Sequence, residues 1–246
     1  MNKQPVLDLA FWVMKICATT LGETAGDHLS MTLNLGYALS TFVLFLIFAV
    51  ALAAQLSVSH YRPWLYWSVI LATSTAGTTL SDFMDRTLHL GYARGSAILV
   101  TLLVLSLACW RYTTGSLSVQ HIRSRRAEGF YWLTVLLSNT LGTALGDFLS
   151  DDSGLGFRGS ALLIGGLIAF LSLLYQTTAL SRVLLFWLAF VLTRPFGAEL
   201  GDLLTKQPDH GGLGLGTTYS SLVLLLTLVL VVVYESRRIQ RAKGQP

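Results

Sequence analysis

Apolar residues fall along this chain in eight stretches of about 20 residues, roughly 7–28, 34–56, 64–84, 93–112, 129–149, 159–178, 181–204 and 216–235. A helix of that length spans a hydrocarbon core of about 30 Å. The even-numbered stretches are plainly apolar, whereas the odd-numbered ones are broken by Gly, Thr and acidic residues. The pattern predicts an all-α polytopic membrane protein of eight transmembrane helices. The first stretch follows Lys3 and has the length of a signal peptide. It matches three later spans, so it is expected to be retained.

Four segments align without gaps: Thr19–Ser30, Ser74–Asp85, Asn139–Ser150 and Arg194–Thr205, each carrying one aspartate in register, Asp27, Asp82, Asp147 and Asp202. A second echo follows each one: Leu35-Gly36-Tyr37, Leu90-Gly91-Tyr92, Leu155-Gly156-Phe157 and, in the last copy, Leu213-Gly214. The unit is thus a motif-bearing helix, a short outer turn and an apolar return helix. Units fall at about 7–58, 62–112, 127–178 and 181–236 of a single membrane domain, 1–246, with 113–126 a cytoplasmic linker between two halves. A two-span unit returns the chain to its starting side, so the four repeats are expected to be parallel, about an axis along the membrane normal.

Orientation follows from the cations. Lys3, Arg62, Arg111, Arg123, Arg125, Arg126, Arg182, Arg237, Arg238, Arg241 and Lys243 lie at the ends of the chain and in the loops after even-numbered spans, while Asp85, Asp151, Asp152 and Asp209 lie in the others. This places both termini in the cytoplasm, in a bacterial inner membrane. The Arg-rich stretches read as topology signals and lipid contacts rather than nucleic-acid sites.

Composition narrows the classes further. The chain is 53% hydrophobic and only 12% charged, about half the charged fraction of soluble domains. Its two cysteines, Cys17 and Cys109, sit in apolar runs, which excludes a disulfide scaffold.

On a helical wheel the residues three, four and seven positions before each aspartate share its face. They make a polar stripe of Thr20, Glu23 and Thr24; Thr75, Thr78 and Thr79; Thr140 and Thr143; and Glu199. Glycine or serine one and five positions before the aspartate forms a small-residue edge about 100° away, suited to close helix approach. Glycines and threonines alone are compatible with packing. Acids are different, because an aspartate near the centre of a span costs roughly 2.5–3.5 kcal/mol on insertion scales. Glu23, Asp27, Asp82, Asp147, Glu199 and Asp202 are therefore the candidate metal ligands, with Thr20, Thr24, Thr75, Thr78, Thr79, Asn139, Thr140, Thr143 and Arg194 in support. Asp147 lies about 25 Å of helix beyond Phe130, which sets the aspartates at an outer vestibule or at water-facing helix ends.

An all-oxygen set suits Mn²⁺, Ca²⁺ or Mg²⁺. His28, His60, His89, His121 and His210 form no metal spacing. Arg194 is expected to pair with Glu199 or Asp202, a role that makes transport sensitive to Arg194→Ala. Lys15 either pairs with an acid or snorkels to the cytoplasmic surface.

Across nearly its whole length the chain resembles a family of poorly characterised bacterial integral membrane proteins described only as membrane-anchored proteins. Glu199-Leu200-Gly201-Asp202, followed by Thr205, is similar to the Glu-x-Gly-Asp signature of the Golgi-type calcium/manganese exporters. That likeness implies divalent-cation binding by the motif acids with proton exchange. Leu203 stands where that signature has a basic residue, and four motifs occur here instead of two.

The resulting expectation is a secondary transporter, not an enzyme, that exports a divalent cation, Mn²⁺ before Ca²⁺ or Mg²⁺, coupled to H⁺ or Na⁺. It has no resident cofactor and no nucleic-acid partner; its partners are the lipid bilayer, the ions and, compatibly, further copies of itself. The alternatives are a non-transporting sensor or scaffold, and an intramembrane aspartyl hydrolase suggested faintly by Leu145-Gly146-Asp147.

Overall fold

The computed structural model describes residues 4–122 and 124–243. Lys3 and Arg123, two of the cations in the orientation argument, lie outside them, as do the Lys243 and His121 side chains. The described residues are all-helical, with no strand. Eight long helices are present: α1 (Leu9–Asp27), α2 (Gly36–Ser57), α3 (Pro63–Asp82), α4 (Tyr92–Thr114), α5 (Arg125–Asp147), α6 (Gly156–Thr177), α7 (Arg182–Thr205) and α8 (Thr217–Lys243).

Each motif helix starts on a local stop signal. Asp8, Ser124 and Ser181 cap α1, α5 and α7 through side-chain oxygens that accept from Phe11 N, Ala127 N and Leu184 N, and Pro63 opens α3. Past each of the first three aspartates the helix widens into one π turn. It is closed by Leu33 N–H to His28 O, Leu88 N–H to Phe83 O and Ser153 N–H to Phe148 O. The fourth copy lacks this turn: α7 stops at Thr205 and Lys206 is extended.

The odd-numbered helices form a closed inner ring, α1 on α3, α3 on α5, α5 on α7 and α7 on α1. The return helices sit outside, and each packs mainly on the motif helix of the next unit: α2 on α3, α4 on α5, α6 on α7 and α8 on α1. The arrangement is a pseudo-fourfold bundle whose repeats interlock. Five helices, α2, α4, α6, α7 and α8, are long and apolar enough to cross a membrane by length and composition. Outward-facing Leu46, Val50, Val104, Leu162, Leu226 and Leu230 are exposed. In α1, α3 and α5 the motif lowers the hydropathy, but its polar side chains are turned into the ring and buried.

One expectation needs correction. In the first three copies the glycine of the second echo takes a left-handed conformation at the start of the return helix: Gly36 (φ 73°), Gly91 (φ 72°) and Gly156 (φ 65°). In the fourth copy that place, just before α8, belongs to Leu215-Gly216 (φ 76°) rather than Leu213-Gly214. A longer outer turn after α7 shifts the match. The linker 113–126 packs on the bundle at two points. Val119 and Ile122 are buried in the core, and the Trp187 indole N–H donates to Leu117 O at 3.0 Å.

One end of the ring is sealed by aromatics. Phe11-Trp12, Tyr66-Trp67, Tyr131-Trp132 and Phe186-Trp187 sit at the same register before each aspartate. The first ring of each pair packs on the tryptophan of the next helix: Phe11 on Trp67 (5.7 Å between centroids), Tyr66 on Trp132 (5.6 Å), Tyr131 on Trp187 (6.3 Å) and Phe186 on Trp12 (5.9 Å). A hydrogen bond of 2.6 Å joins the Tyr66 and Tyr131 hydroxyls.

Candidate cation site on the ring axis

Glycine sets the spacing of the ring. Five residues before each aspartate, Gly22, Gly77, Gly142 and Gly197 face Ser74, Asn139, Arg194 and Thr19 of the neighbouring helix, and a methyl group on any of them would press into that helix. The backbones are therefore close enough for side chains spaced four residues apart to meet on the axis. Three layers matter: Thr19, Ser74, Asn139 and Arg194; then Glu23, Thr78, Thr143 and Ala198; then the four aspartates.

In the deepest of these layers, Lys15 reaches up from α1. It is fully buried, its Nζ donates to Asn139 Oδ1 at 3.2 Å, and it lies 4.2 Å from the Phe190 ring centroid. Asn139 Nδ2 donates onward to Thr73 Oγ1 at 2.8 Å. Lys15 therefore does not snorkel; Asn139 supplies the partner that burial demands.

Arg194 fills the gap left by Ala198, the one small residue in the second layer. Its NH2 is 3.0 Å from Glu23 Oε2 and donates to Thr78 Oγ1 at 2.5 Å and Thr143 Oγ1 at 2.8 Å. Both threonines also lie 3.2 Å from Glu23 Oε2. Arg194 thus pairs with Glu23 of the adjacent helix α1 and not with Glu199 or Asp202. On its own helix Glu199 lies five residues on, about 140° around the wheel, and so points elsewhere. The guanidinium closes the axis below the aspartates. Its Nε and NH1, together with Glu199 Oε2, are buried and find no hydrogen-bond partner among the described residues. Such groups call for water or a ligand.

In the outermost layer the four aspartates divide into two pairs, each bridged by a cation four residues past its own aspartate. Arg86 joins Asp82 (3.0 Å) to Asp147 (3.4 Å), and Lys206 joins Asp202 (3.2 Å) to Asp27 (2.9 Å). Tyr37 and Tyr92, from the second echo, flank the Arg86 guanidinium at 6.0 and 5.7 Å from their ring centroids. Burial opposes the charge on Lys206, but Asp202 and Asp27 hold its ammonium protonated far above the ordinary lysine range. In the outer turn after α3, burial pushes the Asp85 carboxyl up to about 6.

All six acids read from the sequence are buried. Glu23, Asp27 and Asp202 come together, with carboxylate oxygens within 4.8 Å of one another. Asp82 and Asp147 form the separate pair around Arg86, and Glu199 is buried one turn before Asp202. Of the supporting residues, Thr78, Thr143, Asn139 and Arg194 reach the axis. Thr20, Thr75, Thr79 and Thr140 instead donate back to their own helices, and Thr24 also accepts from Ser221 of α8. His28 lies 3.1 Å from Thr217 at the start of α8. The bridging cations Arg86 and Lys206 were missed. Their signal was the aspartate-to-cation spacing of four residues in the second and fourth copies.

An apolar-lined cleft of about 480 Å³ lies elsewhere, between α1, α6, α7 and the linker near Trp12, Phe186 and Arg182. It does not reach the acids, so the residue chemistry on the axis outweighs its size.

The family described as Repeat of Unknown Function (DUF347) matches four segments of the chain, 10–61, 65–116, 130–179 and 185–240. The chain belongs to that family. Each DUF347 repeat here is one motif helix, its outer turn and its return helix. No curated protein and no solved structure matches. Nothing in these comparisons extends the likeness of Glu199-Leu200-Gly201-Asp202 to the calcium/manganese exporters beyond those residues.

Proposed function

We propose that this DUF347 protein is a secondary transporter that exports a divalent metal cation, with Mn²⁺ the first candidate, along the axis of the α1–α3–α5–α7 ring. One observation carries the reading: Glu23, Asp27 and Asp202, from helices at the two ends of the chain, place three carboxylates within 4.8 Å of one another. Burying that much like charge is costly unless cations share the site; Arg194 and Lys206 supply that charge here, and a divalent ion would take the place of the Lys206 ammonium. The oxygen-only donors favour a hard cation. Below the site, the Arg194–Glu23 pair blocks the axis, so passage requires that pair to open, as alternating access demands.

All eight helices are read as spans in this proposal, with the capped ends of α1, α5 and α7 and the Arg-rich segments on the cytoplasmic side of a bacterial inner membrane. Arg62, Arg111, Arg125, Arg126 and Arg182 fall at the end of the bundle away from the aspartates, which supports that orientation. H⁺ or Na⁺ is the coupling ion. The sensor or scaffold alternative is disfavoured because the repeated acids lie at the end of the bundle opposite the linker. The intramembrane-hydrolase alternative needs an unpaired aspartate dyad, whereas the four aspartates here are cation-bridged.

The test is Mn²⁺ flux into proteoliposomes loaded with a quenchable dye. Wild type should carry the ion, and Asp27→Asn and Asp202→Asn should each reduce the rate at least tenfold. Flux by either variant at the wild-type rate would overturn the site.

A further inference from the structure

The carboxylates of the acid triad already hold an ammonium ion. Lys206 Nζ lies 2.9 Å from Asp27 Oδ2 and 3.2 Å from Asp202 Oδ1, while both carboxylates are almost fully buried and the lysine side chain remains about a quarter exposed. The ammonium is thus drawn between the acids from the mouth of the ring.

Lys206 differs from the other bridging cation in how it is held. Arg86 belongs to a π turn continuous with α3 and is flanked by Tyr37 and Tyr92. Lys206 instead follows the end of α7 on extended backbone (φ −67°, ψ 154°), at the head of the longest outer turn. Backbone hydrogen bonds from Gly214 N–H to Lys206 O and from Leu213 N–H to Leu203 O fix the main chain of that turn. The four-carbon side chain is then the part free to move.

We infer that Lys206 is a tethered stand-in for the transported ion: its ammonium occupies the place between Asp27 and Asp202 when the site is empty, and ion binding expels it toward the mouth. The inference rests on the transport reading above and adds how the site is regulated. A tethered charge neutralises the acids while no ion is bound, so the empty site can change its accessibility without exposing bare carboxylates to hydrocarbon. It also competes with every arriving cation, and sets the affinity low enough for release.

The first measurement is Mn²⁺ binding to the purified full chain in detergent, followed by loss of the free-ion EPR signal. Lys206→Met removes the competitor and should bind Mn²⁺ at least tenfold tighter than wild type. Lys206→Arg, which keeps the charge, should show no such gain. Wild-type binding without a gain in folded Lys206→Met overturns the tethered-ion inference and leaves the site standing. No binding by either protein overturns the transport reading as well. A second measurement needs no variant: amine acetylation of wild type read by mass spectrometry. Mn²⁺ should increase labelling of Lys206 at least threefold while leaving buried Lys15 unlabelled. Unchanged or reduced labelling of Lys206 overturns the inference even where Lys206→Met fails to fold.

Discussion

Arg194 on α7 and Glu23 on α1 meet on the ring axis at 3.0 Å, with both side chains at most a few per cent exposed. Removing one partner of a buried pair strands the other charge, at about 3–5 kcal/mol. Arg194→Met and Glu23→Gln should therefore each destabilise the protein by several kcal/mol. The double variant should recover most of that loss. Denaturant unfolding in detergent of the four proteins checks this double-mutant cycle, and additive losses would contradict it.

Lys15 and Asn139 make the asymmetric case. Asn139→Ala leaves Lys15 Nζ and Thr73 Oγ1 without their shared partner and should cost about 1–3 kcal/mol. Lys15→Met removes the buried charge with little change of volume, and should cost less than Asn139→Ala by the same unfolding measurement.

The glycine edges of the ring predict a positional contrast. In Gly22→Ala, Gly142→Ala and Gly197→Ala the new methyl group collides with Ser74, Arg194 and Thr19, for a loss of about 1–3 kcal/mol each. Gly166 on α6 has open space around its would-be methyl group. Gly166→Ala should be neutral or slightly stabilising. Melting temperatures of the four variants distinguish the two classes.

Asp85 gives a pH signature. Its carboxyl is raised from 3.8 to about 6 by burial, and Oδ1 lacks a hydrogen-bond donor among the described residues. The folded protein holds this proton more tightly than the unfolded chain. The associated stability is therefore full below about pH 4 and lost as pH rises through about 6. Asp85→Asn should melt above wild type at pH 8 and level with it at pH 4. A constant difference across that range would show that the Asp85 charge is not responsible.

What could be read from the sequence was whatever repeats. Asp27, Asp82, Asp147 and Asp202 stand in register because the same helix is built four times, and eight helices followed from the apolar runs. The Phe/Tyr-Trp pairs repeat just as regularly, yet single aromatic residues in an apolar span blend into lipid-facing composition until their neighbours are known. Arg86 and Lys206 were hidden for a different reason. Cations in outer turns look like ordinary solvated groups, and only a neighbouring helix reveals that each one spans two aspartates. The partner of Arg194 is not legible along one helix, because Glu199 and Asp202 share its helix whereas Glu23 does not. The Arg194 guanidinium reaches Glu23 on α1, a contact set by tertiary packing.

The placement of each outer helix on the next unit has a consequence for assembly. No single repeat can cover its own motif helix, so α1 keeps a bare flank until α8, the return helix of the fourth unit, comes to rest on it. The ring thus has no first or last member in space. Joining the ends of the chain and opening it within the segment between α4 and α5 should yield a circularly permuted protein that keeps every helix pairing.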